Sequence, residues 1–186
     1  MAEPKPARPG RGARRQRLEE ILRVDHAGEL GAVQIYRGQC AVFGAGKDRE
    51  AIEGQLGEME RQEAVHLAAF DRMLTERGIR PTAFTPLWRA AGFALGASTA
   101  LLGEKAAHAC TEAVETVIEQ HYAGQIAELE IREPALAAEL AGFRNDELAH
   151  RDEALAHGAR EAPGYPLLSA VIRAGCRAAI KISEKL

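Results

Sequence analysis

An all-α bundle is the fold class that this chain of 186 residues predicts. Three observations predict it. From Arg17 onward apolar residues recur at steps of three and four, no alternating strand pattern of useful length interrupts them, and glycine or proline punctuates the stripes at helix-length intervals. The length suits one domain with a full-sized core over residues 17–186, preceded by a basic tail over residues 1–16. Arg8, Arg11, Arg14 and Arg15, with Arg17 at the boundary, sit in a Pro- and Gly-rich stretch without apolar periodicity, so the tail reads as flexible. A transit-peptide remnant and a contact with anionic lipid are its lesser readings.

In chain order, the first helix runs from about Arg17 to Phe43 and stops at Gly44 and Gly46. The second starts near Asp48, a suitable N-cap, and ends at Gly78 with Pro81 beyond. Thr85-Pro86 reads as an N-cap followed by proline in the first helical position. The helical pattern then reaches about Arg132, weakened by Gly92, Gly96 and Gly103 and broken or bent near the last of them. Pro134 opens a helix to about Ala159, and after Pro163-Gly164 a last helix runs from Pro166 to about Glu184.

A formal charge of −3 and a pI near 6.1 remove the general electrostatic case for nucleic acid. Cys40, Cys110 and Cys176 are odd in number, far apart and in mostly apolar surroundings, as fits reduced packing residues better than disulfides or a zinc site. Ala90 to Gly103 is an uncharged, mostly apolar run of fourteen residues. It is shorter than the roughly 20 needed to span a bilayer. It suits either the bundle core or the lipid boundary, and Trp88 and Arg89 at its edge, with Arg173, Arg177 and Lys181 on the final helix, favour the boundary.

The chemistry is concentrated in two Glu-x-x-His pairs, Glu63/His66 and Glu147/His150, each preceded by a lone glutamate, Glu29 or Glu115, some 34 or 32 residues upstream. A three-residue step turns an α-helix about 300°, so each Glu and His share one face. All four glutamates replace core residues in apolar stripes: Leu18, Leu22, Asp25, Glu29, Val33 and Tyr36 on the first helix, for example, and Leu136, Leu140, Phe143, Glu147, His150, Ala154 and His157 on the fourth, which Pro134 opens. The order lone Glu, Glu-x-x-His, lone Glu, Glu-x-x-His makes two similar halves. Inward carboxylates are costly unless they neutralise or find a cation, and without one all four are expected to hold raised pKa values. Two divalent ions would balance four glutamates, with two neutral imidazoles completing the set. One histidine per metal among oxygen ligands suits iron, or equally manganese, better than structural zinc. Glu112 and Glu119, one turn either side of Glu115, and His26, one turn before Glu29, are competing ligands. Asp25 with His26, His121, Tyr122 and Asp146 are candidate hydrogen-bond partners of the ligands, whereas His108 and His157 read as ordinary bundle residues. A chance pattern on solvated helices is the bland alternative, weakened by the matching of two pairs and two partners.

One Glu from each of two helices plus Glu-x-x-His from each of two others resembles the ferritin-like di-iron carboxylate proteins. More specifically, the run Arg23-Val24-Asp25-His26-Ala27-Gly28-Glu29 resembles the opening motif of the demethoxyubiquinone hydroxylases, di-iron monooxygenases of late ubiquinone synthesis. Pro86-Leu87-Trp88, Gly92 to Gly96, Thr99 to Gly103, His121-Tyr122 and Ala174-Gly175-Cys176-Arg177 resemble the same family, so the likeness covers essentially everything after the tail. It implies a ferritin-like four-helix bundle with extra membrane-docking helices, and two iron ions held by Glu29, Glu63, His66, Glu115, Glu147 and His150, with Glu63 and Glu147 bridging. Asn145 to His150 is less acidic than the family pattern. The implied substrate is a polyprenylated demethoxybenzoquinol, whose ring takes one atom of O2 while the other leaves as water. Electrons come from an external donor, since Gly44-x-Gly46 has Arg49 in place of a third glycine and follows a helix. The implied location is peripheral, on the cytoplasmic face of a bacterial cell membrane or the matrix face of the mitochondrial inner membrane, with other ubiquinone-biosynthesis proteins as partners. A ferritin-like iron-storage or peroxide-reducing protein is the rival reading, and a metal-free helical scaffold a third.

Overall fold

The computed structural model describes residues 11–46 and 49–185. All regular structure among them is helical: α1 (Arg11–Phe43), α2 (Glu50–Arg77), α3 (Thr85–Leu101), α4 (Glu104–Leu129), α5 (Pro134–Ala156), a 3-10 turn at Ala159–Glu161, and α6 (Tyr165–Ser183). The stops follow the expected glycines. Gly78 (φ 64°) caps α2 by donating its N–H to Leu74 and Thr75 carbonyls, and Gly103 (φ 108°) separates α3 from α4. Gly158 (φ 83°) ends the last turn beyond α5, so that helix stops at Ala156, short of the expected Ala159.

Two starts differ from the sequence expectation. α1 is already helical at Arg11, six residues before the expected Arg17. Apolar periodicity is absent there; the segment is held instead by the Arg15–Glu19 pair at 2.8 Å along the helix and by Arg17 against Glu128 of α4 at 3.0 Å. The rest of the tail read as flexible, residues 1–10, lies outside the described residues, as does the expected N-cap Asp48. Arg49 precedes α2, and Phe84 precedes α3, placing Thr85 and Pro86 inside its first turn.

α1 pairs with α2, and α4 with α5, to form the four-helix bundle, while α3 lies along α1 and α6 along α4 as an outer layer. α1 and α4 run antiparallel, as Arg17 against Glu128 at one end and Gln39 against the Ala107 carbonyl at the other require. The two halves, α1–α2–α3 and α4–α5–α6, thus repeat one arrangement. Two apolar clusters close the bundle. One joins Ile21, Leu22, Phe70, Leu74, Leu129 and Leu140; the other joins Phe43, Ile52, Leu56, Met59 and Ala107. Each large side chain buried in them contributes about 1.5–3 kcal/mol.

The glycines of α3 are contact points. A Cβ on Gly96 would stand 1.9 Å from the Ile35 carbonyl oxygen, and one on Gly92 would stand 2.8 Å from that of Gly31. Their absence of side chain lets α3 touch the α1 backbone, and this packing outweighs their weak helix propensity. Gly92, Gly96, Thr99 and Ala100 form the inner face of α3, while Leu87, Leu101 and the following Leu102 stand exposed. The Ala90 to Gly103 stretch is therefore core on one side only. No helix among the described residues is long and apolar enough to cross a membrane.

Candidate metal centre

Between the two apolar clusters, α1, α2, α4 and α5 converge six side chains: Glu29, Glu63, His66, Glu115, Glu147 and His150, each at most 3% exposed. They form two overlapping groups, Glu29, Glu63, His66 and Glu147, and Glu63, Glu115, Glu147 and His150, within each of which one ligand-type atom per residue lies within 4.8 Å of the others. Glu63 and Glu147 belong to both groups, the position a bridging carboxylate needs. His66 Nδ1 lies 3.3 Å from Glu147 and 3.6 Å from Glu29, and His150 Nδ1 lies 2.9 Å from Glu63 and 3.6 Å from Glu147.

The atoms sort into two classes. Those facing away from the centre are held: Tyr122 donates its hydroxyl to Glu29 Oε1, Tyr36 donates to Glu115 Oε1 at 2.7 Å, His66 Nε2 meets Asp146 at 3.1 Å, and His150 Nε2 meets Gln62 at 2.6 Å. Those facing inward have no hydrogen-bond partner: Glu29 Oε2, Glu115 Oε2, both oxygens of Glu63 and of Glu147, and Nδ1 of both histidines. Buried acceptors left in this state cost about 1–3 kcal/mol each, more when charged, unless something completes them. Carboxylate and imidazole acceptors converging on one volume are the donor set of a divalent cation, so this cluster can hold metal.

The holding contacts cross between halves. Each tyrosine lies seven residues after its own lone glutamate and bonds the lone glutamate of the other half; Gln62 and Asp146 each precede a Glu-x-x-His glutamate and hold the other half's histidine. Of the candidates drawn from the sequence, Tyr122 and Asp146 therefore touch ligand residues. Asp25 and His121 instead meet Gln125, at 2.7 and 2.8 Å, one step behind Glu29 and Tyr122. His26 does not join them: its Nε2 meets Asp71 of α2 at 3.0 Å. Tyr36 and Gln62 are additions, signalled in the sequence only by sharing the offsets of Tyr122 and Asp146. The competing glutamates are otherwise engaged, Glu112 by Ser169 and Arg173 of α6, and Glu119 by Arg144 at 2.6 Å. Arg173 is thereby paired within the molecule. His108 and His157 stack on each other with centroids 5.1 Å apart, well away from the ligands in sequence, although His157 is exposed and not a bundle residue.

Without a cation the cluster holds protons unevenly. Burial pushes Glu29 and Glu115 well above the usual carboxylate range, and the charges of Glu63 and Glu147 add to it. Glu63 departs from the expectation of four raised carboxylates: burial opposes its charge, but the close approach of His150, His66 and Glu29 outweighs it and brings Glu63 down to about 2. Burial likewise opposes protonation of His150, yet Glu147 and Glu63 carry it up to about 10, and His66 moves in the same direction. A histidine near 6.5 in the unfolded chain and near 10 when folded stabilises fully below pH 6.5 and loses that contribution as pH rises to 10. The metal-free protein is thus expected to lose stability between pH 6.5 and about 10, while the metal-loaded form, its protons replaced by cations, holds its stability over that window and loses it as pH falls below 6.5. Unfolding curves of both forms at neutral and alkaline pH check this, and parallel trends would contradict it.

Comparison with known proteins gives the family. The family model described as ubiquinone biosynthesis protein COQ7 matches residues 16–183. A curated 3-demethoxyubiquinol 3-hydroxylase of Rhodospirillum rubrum is 53% identical over 91% of this chain and 78% of its own length. The NADPH-dependent 3-demethoxyubiquinone 3-hydroxylase, mitochondrial, of Bos taurus is 47% identical over 92% of this chain and 79% of its own. The 5-demethoxyubiquinone hydroxylase, mitochondrial, of Saccharomyces cerevisiae is 39% identical over 91% and 78%. Covered from the second turn of α1 to the last residue of α6 by that model, the chain belongs to the ubiquinone biosynthesis protein COQ7 family.

Proposed function

We propose that the chain is a di-iron 3-demethoxyubiquinol 3-hydroxylase of ubiquinone biosynthesis. The observation that carries this is the ring of inward-facing, partnerless carboxylate and imidazole atoms, Glu29, Glu63, His66, Glu115, Glu147 and His150, in a chain whose relatives are named for that reaction. Two iron ions held there, with Glu63 and Glu147 shared between them, would supply the reduction of O2 and the transfer of one oxygen atom to the quinol ring. The chain's own residues do the rest. Tyr36 and Tyr122 fix the two terminal glutamates, and Gln62 and Asp146 fix the imidazoles so that Nδ1 faces inward.

An apolar cavity of about 410 Å3 lies between α1 and α4 on one side and α3 and α6 on the other. Gly28, Gly31 and Ala32 keep its α1 wall thin next to Glu29, and Val114 and Ile118 line α4 beside Glu115. This cavity would take the quinol ring and the start of its polyprenyl tail, keep water out, and bring the ring to the seam between α1 and α4. Its apolar walls beside the centre favour this reading over iron storage or peroxide reduction, which need a route for ions or water. The reductant is external, and the NADPH in the name of the Bos taurus relative supports a pyridine nucleotide as its ultimate source.

Among the described residues, seven of the nine exposed large apolar side chains belong to the outer layer, with Leu87, Phe93, Leu101 and Leu102 on or next to α3 and Leu167, Val171 and Ile182 on α6. Clustered exposure of this kind marks an interaction surface, and its position around the cavity suits a lipid-borne substrate. The chain is accordingly a peripheral membrane enzyme on the cytoplasmic face of a bacterial cell membrane, a placement favoured by the Rhodospirillum rubrum relative; the matrix face of the mitochondrial inner membrane is the alternative that the mitochondrial relatives support. Quinones extracted from cells lacking the chain test the activity. Accumulation of the demethoxy intermediate, reversed by restoring the gene, is the expected result, and an unchanged profile overturns the proposal.

A further inference from the structure

Around the centre the halves of the chain match at an offset of 86 residues between α1 and α4 and 84 between α2 and α5. Glu29, Tyr36 and Gln39 of α1 correspond to Glu115, Tyr122 and Gln125 of α4, and Glu63 and His66 of α2 to Glu147 and His150 of α5. Corresponding positions around it differ in charge. Asp146, which holds His66, answers to Gln62, which holds His150. Asp25, one turn before Glu29, answers to Thr111, one turn before Glu115. Because the holding contacts cross between halves, both acids fall on the same side, beside the Glu29/His66 group, while the Glu115/His150 group has an amide and a hydroxyl in their place, and its neighbouring Glu112 and Glu119 are neutralised by Arg173 and Arg144.

Granting that these six residues hold two metal ions, we propose that the two positions are unequal: the Glu29/His66 position binds a divalent cation more tightly and fills first. A carboxylate that accepts the outer N–H of a ligating imidazole makes that imidazole a stronger donor, and losing such a partner typically costs about 10–100-fold in metal affinity. The amide oxygen of Gln62 is neutral and does less. Asp146 is 58% exposed, so it acts through its 3.1 Å hydrogen bond to His66 more than through charge at a distance. Asp25 is buried, with one oxygen accepting from Gln125 at 2.7 Å and the other without a partner, so its smaller contribution has the same sign.

Anaerobic titration of the metal-free chain with Co(II), followed by its visible absorption and by the ring resonances of the two histidines, tests the inequality. Two binding steps at least about tenfold apart are expected, the first shifting the His66 ring and the second that of His150. In Asp146→Asn the first step should weaken by about 10–100-fold, and in Gln62→Glu the second should strengthen. Both side chains sit at the edge of the centre, and the double variant Gln62→Glu/Asp146→Asn should reverse the order of the two rings. A single step in the parent chain, or an order unchanged in the double variant, overturns the proposal. Binding of fewer than two Co(II) per chain would overturn instead the two-metal reading beneath it.

Discussion

Replacing either Glu63 or Glu147 by alanine is expected to reduce hydroxylation to background and bound iron to fewer than two ions per chain, with the helices still formed. Both residues belong to both of the overlapping ligand groups, so either change removes a donor from each position at once. Replacing Glu29 or Glu115 removes a donor from one group only, and should leave one position able to bind. The helices are expected to survive because the two apolar clusters that close the bundle lie above and below the centre and involve neither glutamate. Removing one carboxylate also lessens the repulsion that holds Glu29 and Glu115 above their usual range. Iron content after anaerobic loading, helical circular dichroism and turnover, measured together, decide the matter. Two ions per chain and parental turnover in either variant would refute the bridging assignment.

The six central residues were legible because their evidence is one-dimensional. A carboxylate placed where a helical stripe calls for an apolar residue is visible without coordinates, and Glu-x-x-His fixes two donors on one face by helix geometry alone. The residues that hold them were only half legible. Tyr122 and Asp146 were reached as neighbours of interest, but Tyr36 and Gln62 reach across to ligands of the other half, 79 and 88 residues away along the chain. That crossing depends on which helices pair and in which direction, which no local pattern states. The repeated offsets were present in the sequence, and become informative once the halves are superposed. His26 shows the limit of such spacing: it stands the same three residues from Glu29 as the paired histidines do from their glutamates, yet its Nε2 meets Asp71 of α2 instead of a side chain of the centre, a partner that no local pattern names.

The two readings of Ala90 to Gly103, core or lipid boundary, were posed as alternatives because composition averages over a helix's faces. The glycines that looked like weak points turn out to be where α3 meets the α1 backbone, and only the outward side is left open. The early start of α1 was invisible to apolar periodicity because it is supported by ion pairs, including one to α4 from far along the chain.

Leu101→Glu combined with Leu167→Glu is expected to release the chain from lipid vesicles and to suppress hydroxylation of long-tailed quinol while sparing a short-tailed, water-soluble analogue. The two leucines are 75% and 73% exposed, so the charges should cost the fold little. α3 runs parallel to α1 and α6 parallel to α4, which makes α3 and α6 antiparallel and brings the end of one beside the start of the other. Both substitutions therefore fall at one end of the same apolar layer. Withdrawing a leucine from water contributes about 1.5–3 kcal/mol when complete, so losing two partly inserted ones should weaken vesicle binding by about a hundredfold. Leu95 would be the wrong choice for this test, because it lines the cavity and packs with Cys110 and Ile172 inside the molecule. Vesicle sedimentation, iron content and turnover of the two substrates separate the outcomes. Vesicle binding equal to that of the parent would rule out this layer as the docking surface, and equal loss of both activities together with iron would mean that the leucines support the fold.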